Sequence, residues 1–222
     1  MLRSSDPRPV LRLYAWEPSG LSLGHFQPAE AFVERAARVG VPIVRRPTGG
    51  GAIHHDRELT FCLIATPGED GYPTQVEAAY RVVHQALRTA LAGLGAEVDF
   101  RGGDAPLSVH PRAATLCFED TTSFDLVDQA GRKLVGSAQR RRGGRVLHHG
   151  SIPLEAPGLT PGASSLRALA GAAVSWERAA DAVEAAFAEH LCEGGWTLDE
   201  PRREEAAEAA ARAPGVRVST VA

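Results

Sequence analysis

The sequence predicts an α+β fold: one domain with a mixed or antiparallel sheet and interspersed helices. Three observations carry that expectation. Short apolar runs bounded by Gly and Pro dominate the middle of the chain. Strongly periodic helical segments are interspersed among them, and no linker is long enough to separate two independent units. The length of 222 residues suits one large domain with a sizeable core.

Val10 to Trp16 is apolar and aromatic and reads as a strand. Gln27 to Val39 reads as a helix with Phe32, Ala36 and Val39 on one face, and Gly40 supplies the stop. Ile43 to Arg46 is a short strand feeding Gly49-Gly50-Gly51, and Leu59 to Ala65 reads as a buried strand. The clearest helix runs from Thr74 to Leu94. Val76, Tyr80, Val83, Leu87, Leu91 and Leu94 form its stripe, Thr74 and Glu77 have capping-box spacing, and Gly95 ends it. Glu97 to Arg101 should be a strand, and residues 102–116, with their Gly and Pro, a loop. Ser123 to Val127 and Lys133 to Ser137 read as a hairpin turning at Gln129-Ala130-Gly131, followed by a strand from Arg145 to Leu154. Ser175 is an N-cap for a helix carrying Trp176, Ala180, Val183, Phe187 and Leu191, and a last helix is expected at Pro201 to Arg212.

Composition excludes several classes. With 44% hydrophobic and 23% charged residues the chain is ordinary for a soluble globular protein. A net charge of -3 argues against a nucleic-acid partner. Arg140, Arg141, Arg142 and Arg145 form a local basic cluster, either a solvated loop or a dock for an acidic partner or a phosphate. Cys62, Cys117 and Cys192 are too sparse for a disulfide framework or a zinc site and fit a reducing cytosol. No apolar run reaches membrane-spanning length, and the N-terminus lacks the apolar core of a signal peptide. The expectation is a cytoplasmic protein with no membrane partner.

Four segments have chemistry-bearing composition. Arg45-Arg46-Pro47-Thr48-Gly49-Gly50-Gly51-Ala52-Ile53-His54-His55-Asp56 sets three glycines between fixed cations and titratable groups. A turn needs one or two glycines, so three point to close backbone contact with a ligand. The run matches neither standard nucleotide-binding glycine pattern. In Lys133-Leu134-Val135-Gly136-Ser137-Ala138-Gln139 an ammonium sits near exposed backbone N–H groups and suits a carbonyl or carboxylate oxygen. Cys117 lies at the end of the Pro/Gly loop and is a better nucleophile candidate than Cys62, inside an apolar strand, or Cys192, at a helix end. His148-His149-Gly150-Ser151 is the fourth; adjacent histidines on a strand face opposite ways and do not chelate one metal together, so no metal is expected.

Together these segments resemble the lipoate-protein ligase and octanoyltransferase family, in the biotin/lipoate ligase-like superfamily. The glycine run looks like the family's R-R-x-[ST]-G-G-G-A-x-x-H-D, and Lys133 to Arg140 like its K-x-x-G-S-A-Q-R. His149-Gly150-Ser151 resembles its H-G-[ST] strand. Leu11 to Gln27, with Tyr14, Trp16, Leu21-Ser22-Leu23-Gly24 and Phe26, matches its opening segment. The resemblance spans roughly residues 10 to 190. It implies a mixed, largely antiparallel sheet flanked by helices, a core related to class II aminoacyl-tRNA synthetases and biotin ligases. It also implies an acyl site formed by Arg45, Arg46, Thr48, Gly49, Gly50, Gly51, His55, Gly136, Ser137, Ala138, His149 and Gly150. Lys133 would hold the reacting carbonyl oxygen and orient the acceptor lysine.

Within the family, ligases activate a free acid with ATP and magnesium, and transferases take octanoate from acyl carrier protein, one branch through a cysteine thioester. Cys117-Phe118 with Thr122-Ser123-Phe124-Asp125-Leu126 resembles that branch's C-F-x-x-x-S-x-[YF]-[DE]-L segment, with Thr122 in place of its serine. This favours catalysis by Cys117 and Lys133, no cofactor, and transfer to lipoyl domains or the glycine-cleavage carrier protein. A neighbouring Lys133 would bring the thiol from about 8.5 into the range of roughly 3.5 to 7.5. The alternative is an ATP-dependent ligase with Arg45, Arg46 and Arg140 on phosphates; a silent binding module for lipoyl proteins is a third. His54 and Arg57-Glu58-Leu59-Thr60 depart from the family pattern. The family's initial strand and helix and the ligases' C-terminal accessory domain are expected to be missing, which leaves one catalytic domain over residues 1–222.

Overall fold

The computed structural model describes residues 8–102, 114–120 and 122–191, with Ala207. The helix expected at Pro201 to Arg212 and most of the 102–116 loop lie outside the described residues. In chain order the elements are β1 (Val10–Tyr14), β2 (Gly20–Leu23), α1 (Val33–Val39), β3 (Ile43–Arg45), β4 (Ile53–His55) and β5 (Glu58–Ala65). There follow α2 (Val76–Gly93), β6 (Asp99–Phe100), β7 (Leu126–Val127), β8 (Lys133–Arg142), β9 (Arg145–Pro153), α3 (Leu166–Ala170) and α4 (Trp176–Leu191).

The strands form two sheets where the sequence suggested one. The larger is antiparallel in the order β1-β5-β9-β8-β7-β6. The smaller has the order β3-β2-β4, with β2 parallel to β3 and antiparallel to β4. The sequence does not announce β2 and β4 because each is only a few residues long, too short for a period of two to register. The smaller sheet has its own core, in which Leu21, Leu23 and Ile43 pack with Phe32 and Ala36.

The larger sheet packs one face on α2 and α4. Leu59, Phe61, Leu63, Leu134 and Val146 meet Val83, Leu87, Leu91, Val183 and Phe187 there, all nearly inaccessible to water. Side chains of this size each contribute about 1.5–3 kcal/mol on full burial. Two helix details differ from expectation. Gln75 stands at the N-cap of α2 and no side-chain cap bond forms, so the Thr74–Glu77 capping box is not made. The Arg141 guanidinium takes the Thr74 carbonyl, drawing that residue toward the β8–β9 hairpin. Val76, counted in the apolar stripe, is exposed. The stops hold: Gly40 and Gly95 adopt positive φ of 69° and 87°, and Ser175 Oγ accepts the Arg178 amide at 3.2 Å.

Candidate functional site

Cys117 and Lys133, sixteen residues apart in sequence, meet in space. Lys133 opens β8 and is buried; its Nζ lies 3.6 Å from Cys117 Sγ. Three oxygens hold the ammonium: Asp125 Oδ2 at 2.8 Å, the Cys117 carbonyl at 3.0 Å and the Asp120 carbonyl at 3.1 Å. An ammonium has three protons, so these three oxygens and the sulfur, four acceptors in all, share them. Burial alone would lower the Lys133 pKa, but attraction to Cys117 and Asp125 and the hydrogen bonds to both raise it. The lysine is therefore a fixed cation. The Cys117 side chain is half-buried, in a 3-10 turn spanning Cys117–Glu119.

The glycines make this proximity sterically possible. A Cβ on Gly136 would lie 2.5 Å from Lys133 Cε, 2.8 Å from its Nζ and 3.4 Å from Cys117 Sγ. A Cβ on Gly51 would lie 2.8 Å from the Cys117 nitrogen and 3.0 Å from its Cα. Next to it the Cys117 amide donates to the Ala52 carbonyl at 2.7 Å, and the Ala52 amide to the Thr115 carbonyl at 3.0 Å. The glycine run thus lies directly against the cysteine backbone. Gly50, at φ 90°, presses its carbonyl where a Cβ on Gly24 would have to be, 2.0 Å away. Gly150 instead lets two strands and a ring close together: a Cβ there would meet the Phe61 ring at 2.5 Å and the Gly136 carbonyl at 2.6 Å.

The two arginines are internal braces. Arg46 donates from Nε to Thr48 Oγ1, from Nη1 to the Ser22 carbonyl and hydroxyl, and from Nη2 to the carbonyls of Gly49 and Gly51. These bonds use all five guanidinium protons. Burial lowers its pKa to about 10, which still leaves it charged at neutral pH. Arg45 Nη1 contacts the carbonyls of Gly24, His25 and Gln27 at 3.0, 3.1 and 2.7 Å. Thr48 Oγ1 lies 2.6 Å from His149 Nε2. Burial, then the Arg46 and His55 charges, lower the His149 pKa to about 3, so the ring is neutral. On β8, Ala138 is the register partner of His149, next along from Gly136 and Ser137.

His55 joins a second cluster. Its Nδ1 lies 2.7 Å from Glu58 Oε1, its Nε2 2.7 Å from Ser22 Oγ, and its ring stacks on Trp16 at 4.0 Å. Glu58 also accepts from the Thr60 and Ser151 hydroxyls. Burial would raise the Glu58 pKa, but the His55 charge and the three side-chain bonds lower it. Glu58 is thereby the centre of this cluster. Ser137 faces the other way, toward His84 and His148 at 2.7 and 2.9 Å. His148 and His149 do point to opposite faces of β9, as strand geometry requires. His84 was not legible as a site residue, because a lone histidine inside an apolar helical stripe reads as core. Among the described residues no group of three His, Cys, Asp or Glu side chains could hold a metal ion, and no helix is long and apolar enough to cross a membrane.

Comparison with known proteins places this geometry. Octanoyltransferase LipM of Kyrpidia tusciae is 38% identical over 213 residues, covering 82% of this chain and 76% of that protein. The LipM of Exiguobacterium sibiricum is 40% identical over 155 residues, where the match spans only 54% of the relative. Among solved structures, the protein Ta0514 from T. acidophilum with bound lipoic acid superposes with a TM-score of 0.77 at 21% identity. It covers 95% of this chain and 83% of that one. A lipoate-protein ligase A bound with ATP superposes with a TM-score of 0.74 at 22% identity, covering 94% and 82%. These last two establish the shared fold. The model of the lipoyl protein ligase A/B catalytic domain matches residues 1–161, and the chain belongs to that family.

Proposed function

We propose that this protein is an octanoyltransferase that carries the acyl group on Cys117 and passes it to a lysine of a lipoyl domain or of the glycine-cleavage carrier protein. The observation that carries the reading is the buried ammonium of Lys133 at 3.6 Å from a half-buried sulfur. A cation held this close stabilises negative charge on sulfur, both when Cys117 attacks and when it leaves. The LipM relatives, which are octanoyltransferases by name, support the same reaction.

In the first step the Cys117 thiolate attacks the carbonyl carbon of octanoyl-acyl carrier protein. The carrier's C–S bond breaks and its thiolate leaves, to be protonated. In the second, the neutral amine of the acceptor lysine attacks the acyl-enzyme. The amide forms, Cys117 leaves as thiolate, and the amine's proton goes to solvent. Both thioesters have similar free energies, so the exchange needs no ATP. The ligase alternative would use ATP and magnesium. It is disfavoured by Arg46, whose five protons are all spent on internal acceptors and would have to be released to reach a phosphate.

Intact-mass analysis after mixing the protein with octanoyl-carrier protein tests the reading. One octanoyl adduct is expected on the wild type and none on Cys117→Ala. An adduct that survives the substitution would overturn the role of Cys117. Lipoate-dependent pyrophosphate release that is independent of Cys117 would establish the ligase instead.

A further inference from the structure

Behind β8, on the α2 face of the larger sheet, three buried polar side chains and the half-buried Ser137 form one line. Tyr72 Oη lies 3.1 Å from His148 Nδ1, His148 Nε2 lies 2.9 Å from Ser137 Oγ, and Ser137 Oγ lies 2.7 Å from His84 Nε2. His84 Nδ1 then reaches the Phe124 carbonyl. Both imidazoles have no accessible surface, and Tyr72 has 2%.

The end of this line orders every proton in it. A carbonyl only accepts, so His84 Nδ1 carries its hydrogen. Burial lowers the pKa of His84 and of His148, so both rings are neutral. Nε2 of His84 is then an acceptor and takes the Ser137 hydroxyl proton. Ser137 Oγ accepts from His148 Nε2–H, and His148 Nδ1 accepts from Tyr72. Each donor has one acceptor, and all bonds run in one direction, from Tyr72 to the Phe124 carbonyl.

That carbonyl is one residue from the group that fixes the site cation. Asp125 holds Lys133 Nζ at 2.8 Å and closes its own turn by accepting the Thr122 amide at 2.7 Å. The Tyr80 ring stacks on Phe124 at 5.8 Å, so α2 grips the segment by one ring and one hydrogen bond. An apolar residue at position 84 would leave the Phe124 carbonyl without this donor and the Ser137 hydroxyl proton without its acceptor, while Ser137 kept only His148.

We infer that His84 is a positioning residue: its Nδ1–H fixes the Phe124 carbonyl, so that Asp125 holds the Lys133 ammonium beside Cys117. This rests on Cys117 being the acyl carrier proposed above, but its test needs no acyl donor. Iodoacetamide alkylation of Cys117, followed by peptide mass mapping, reads the sulfur's environment directly. His84→Gln presents its amide near the Nε2 position and loses the Phe124 bond; His84→Asn presents an N–H near Nδ1 and keeps it.

Alkylation at pH 7 is expected to slow about fivefold in His84→Gln, as a partly displaced charge at this distance implies. It should return to within about twofold of wild type in His84→Asn, a rescue that a purely structural histidine would not give. A folded His84→Gln alkylated at the wild-type rate, or a His84→Asn as slow as His84→Gln, would overturn the assignment. Should both variants fail to fold, Ser137→Ala, which frees the His84 ring, is read the same way: roughly a twofold loss supports it, and the wild-type rate overturns it. A wild type that takes no octanoyl group would sink the transfer reaction while leaving this comparison readable.

Discussion

Two buried ionic clusters flank the glycine run, and they are almost equally dry. Lys133 and Asp125 have side-chain exposures of 4% and 5%, His55 and Glu58 of 5% and 1%. They differ in what is left over once the pair is made. Around Glu58 nothing is left: His55, Thr60 and Ser151 donate to it, Ser22 takes the far ring nitrogen of His55, and Trp16 covers the ring face. Around Lys133 the oxygens leave a half-buried sulfur within 3.6 Å. The first cluster ties β2, β4, β5 and β9 together; the second sets a fixed charge beside the Cys117 sulfur, the proposed nucleophile. Burial and ion pairing alone do not distinguish the two clusters; the half-buried sulfur beside the second does.

Substitution should separate the clusters most sharply. Lys133→Met leaves Asp125 without its cation, which costs on the order of 3–5 kcal/mol of stability. It should also lower octanoyl transfer by roughly 100- to 1,000-fold, the range seen when one stabilising donor is removed from an active site. Glu58→Gln should cost roughly 1–3 kcal/mol and leave transfer per folded molecule unchanged. Denaturant midpoints with acyl-transfer rates on the folded fraction check both. A folded Glu58→Gln without activity, or an active Lys133→Met, would erase the contrast.

Acid should expose the neutral histidines next. Burial depresses the pKa of His84, His148 and His149 below the ordinary value of 6.5. Above that value both folded and unfolded chains hold the rings neutral, and stability is flat. Below it the unfolded chain binds protons that the folded core refuses, so stability falls as pH drops. Each ring contributes about 1.4 kcal/mol per pH unit. Glu58 acts in the same sense but lower: its depressed pKa stabilises above about 4.5 and is lost as pH falls through the folded value. Urea midpoints between pH 7.5 and pH 5 should decline, with the decline beginning near the histidine range and not the carboxylate range.

The smallest effect is expected at Gly136→Ala. The new methyl meets the flexible end of Lys133, so stability should drop by only about 1 kcal/mol. Displacing the ammonium should still cost roughly tenfold in transfer, about 1.4 kcal/mol of barrier. An alanine variant with wild-type transfer would show that the lysine has room to stand elsewhere.

Much of the fold was legible. The α2 and α4 stripes, the stops at Gly40 and Gly95 and the Ser175 cap are local and follow from spacing and φ. The two-sheet arrangement was not, because β2 and β4 are too short to show a period. Cys117, Lys133 and the glycine run, singled out from sequence, are brought together in the structure. The roles of Arg45 and Arg46 were not legible: from sequence they are cations beside glycines, and only their carbonyl partners reveal internal braces. His84 carries no local mark at all.

The sequence by itself determined the family, the order of its motifs and the two residues on which transfer is proposed to turn. These depend on residue type and short-range spacing, which a chain displays without folding. The tertiary structure decided which groups meet: Cys117 with Lys133, Gly51 with the cysteine backbone, His84 with Phe124, Glu58 with Ser151. Side-chain contacts between distant segments depend on strand order and register, and no local interaction fixes those. The same register separates a charge sealed in a structural cluster from one held beside the half-buried sulfur of Cys117.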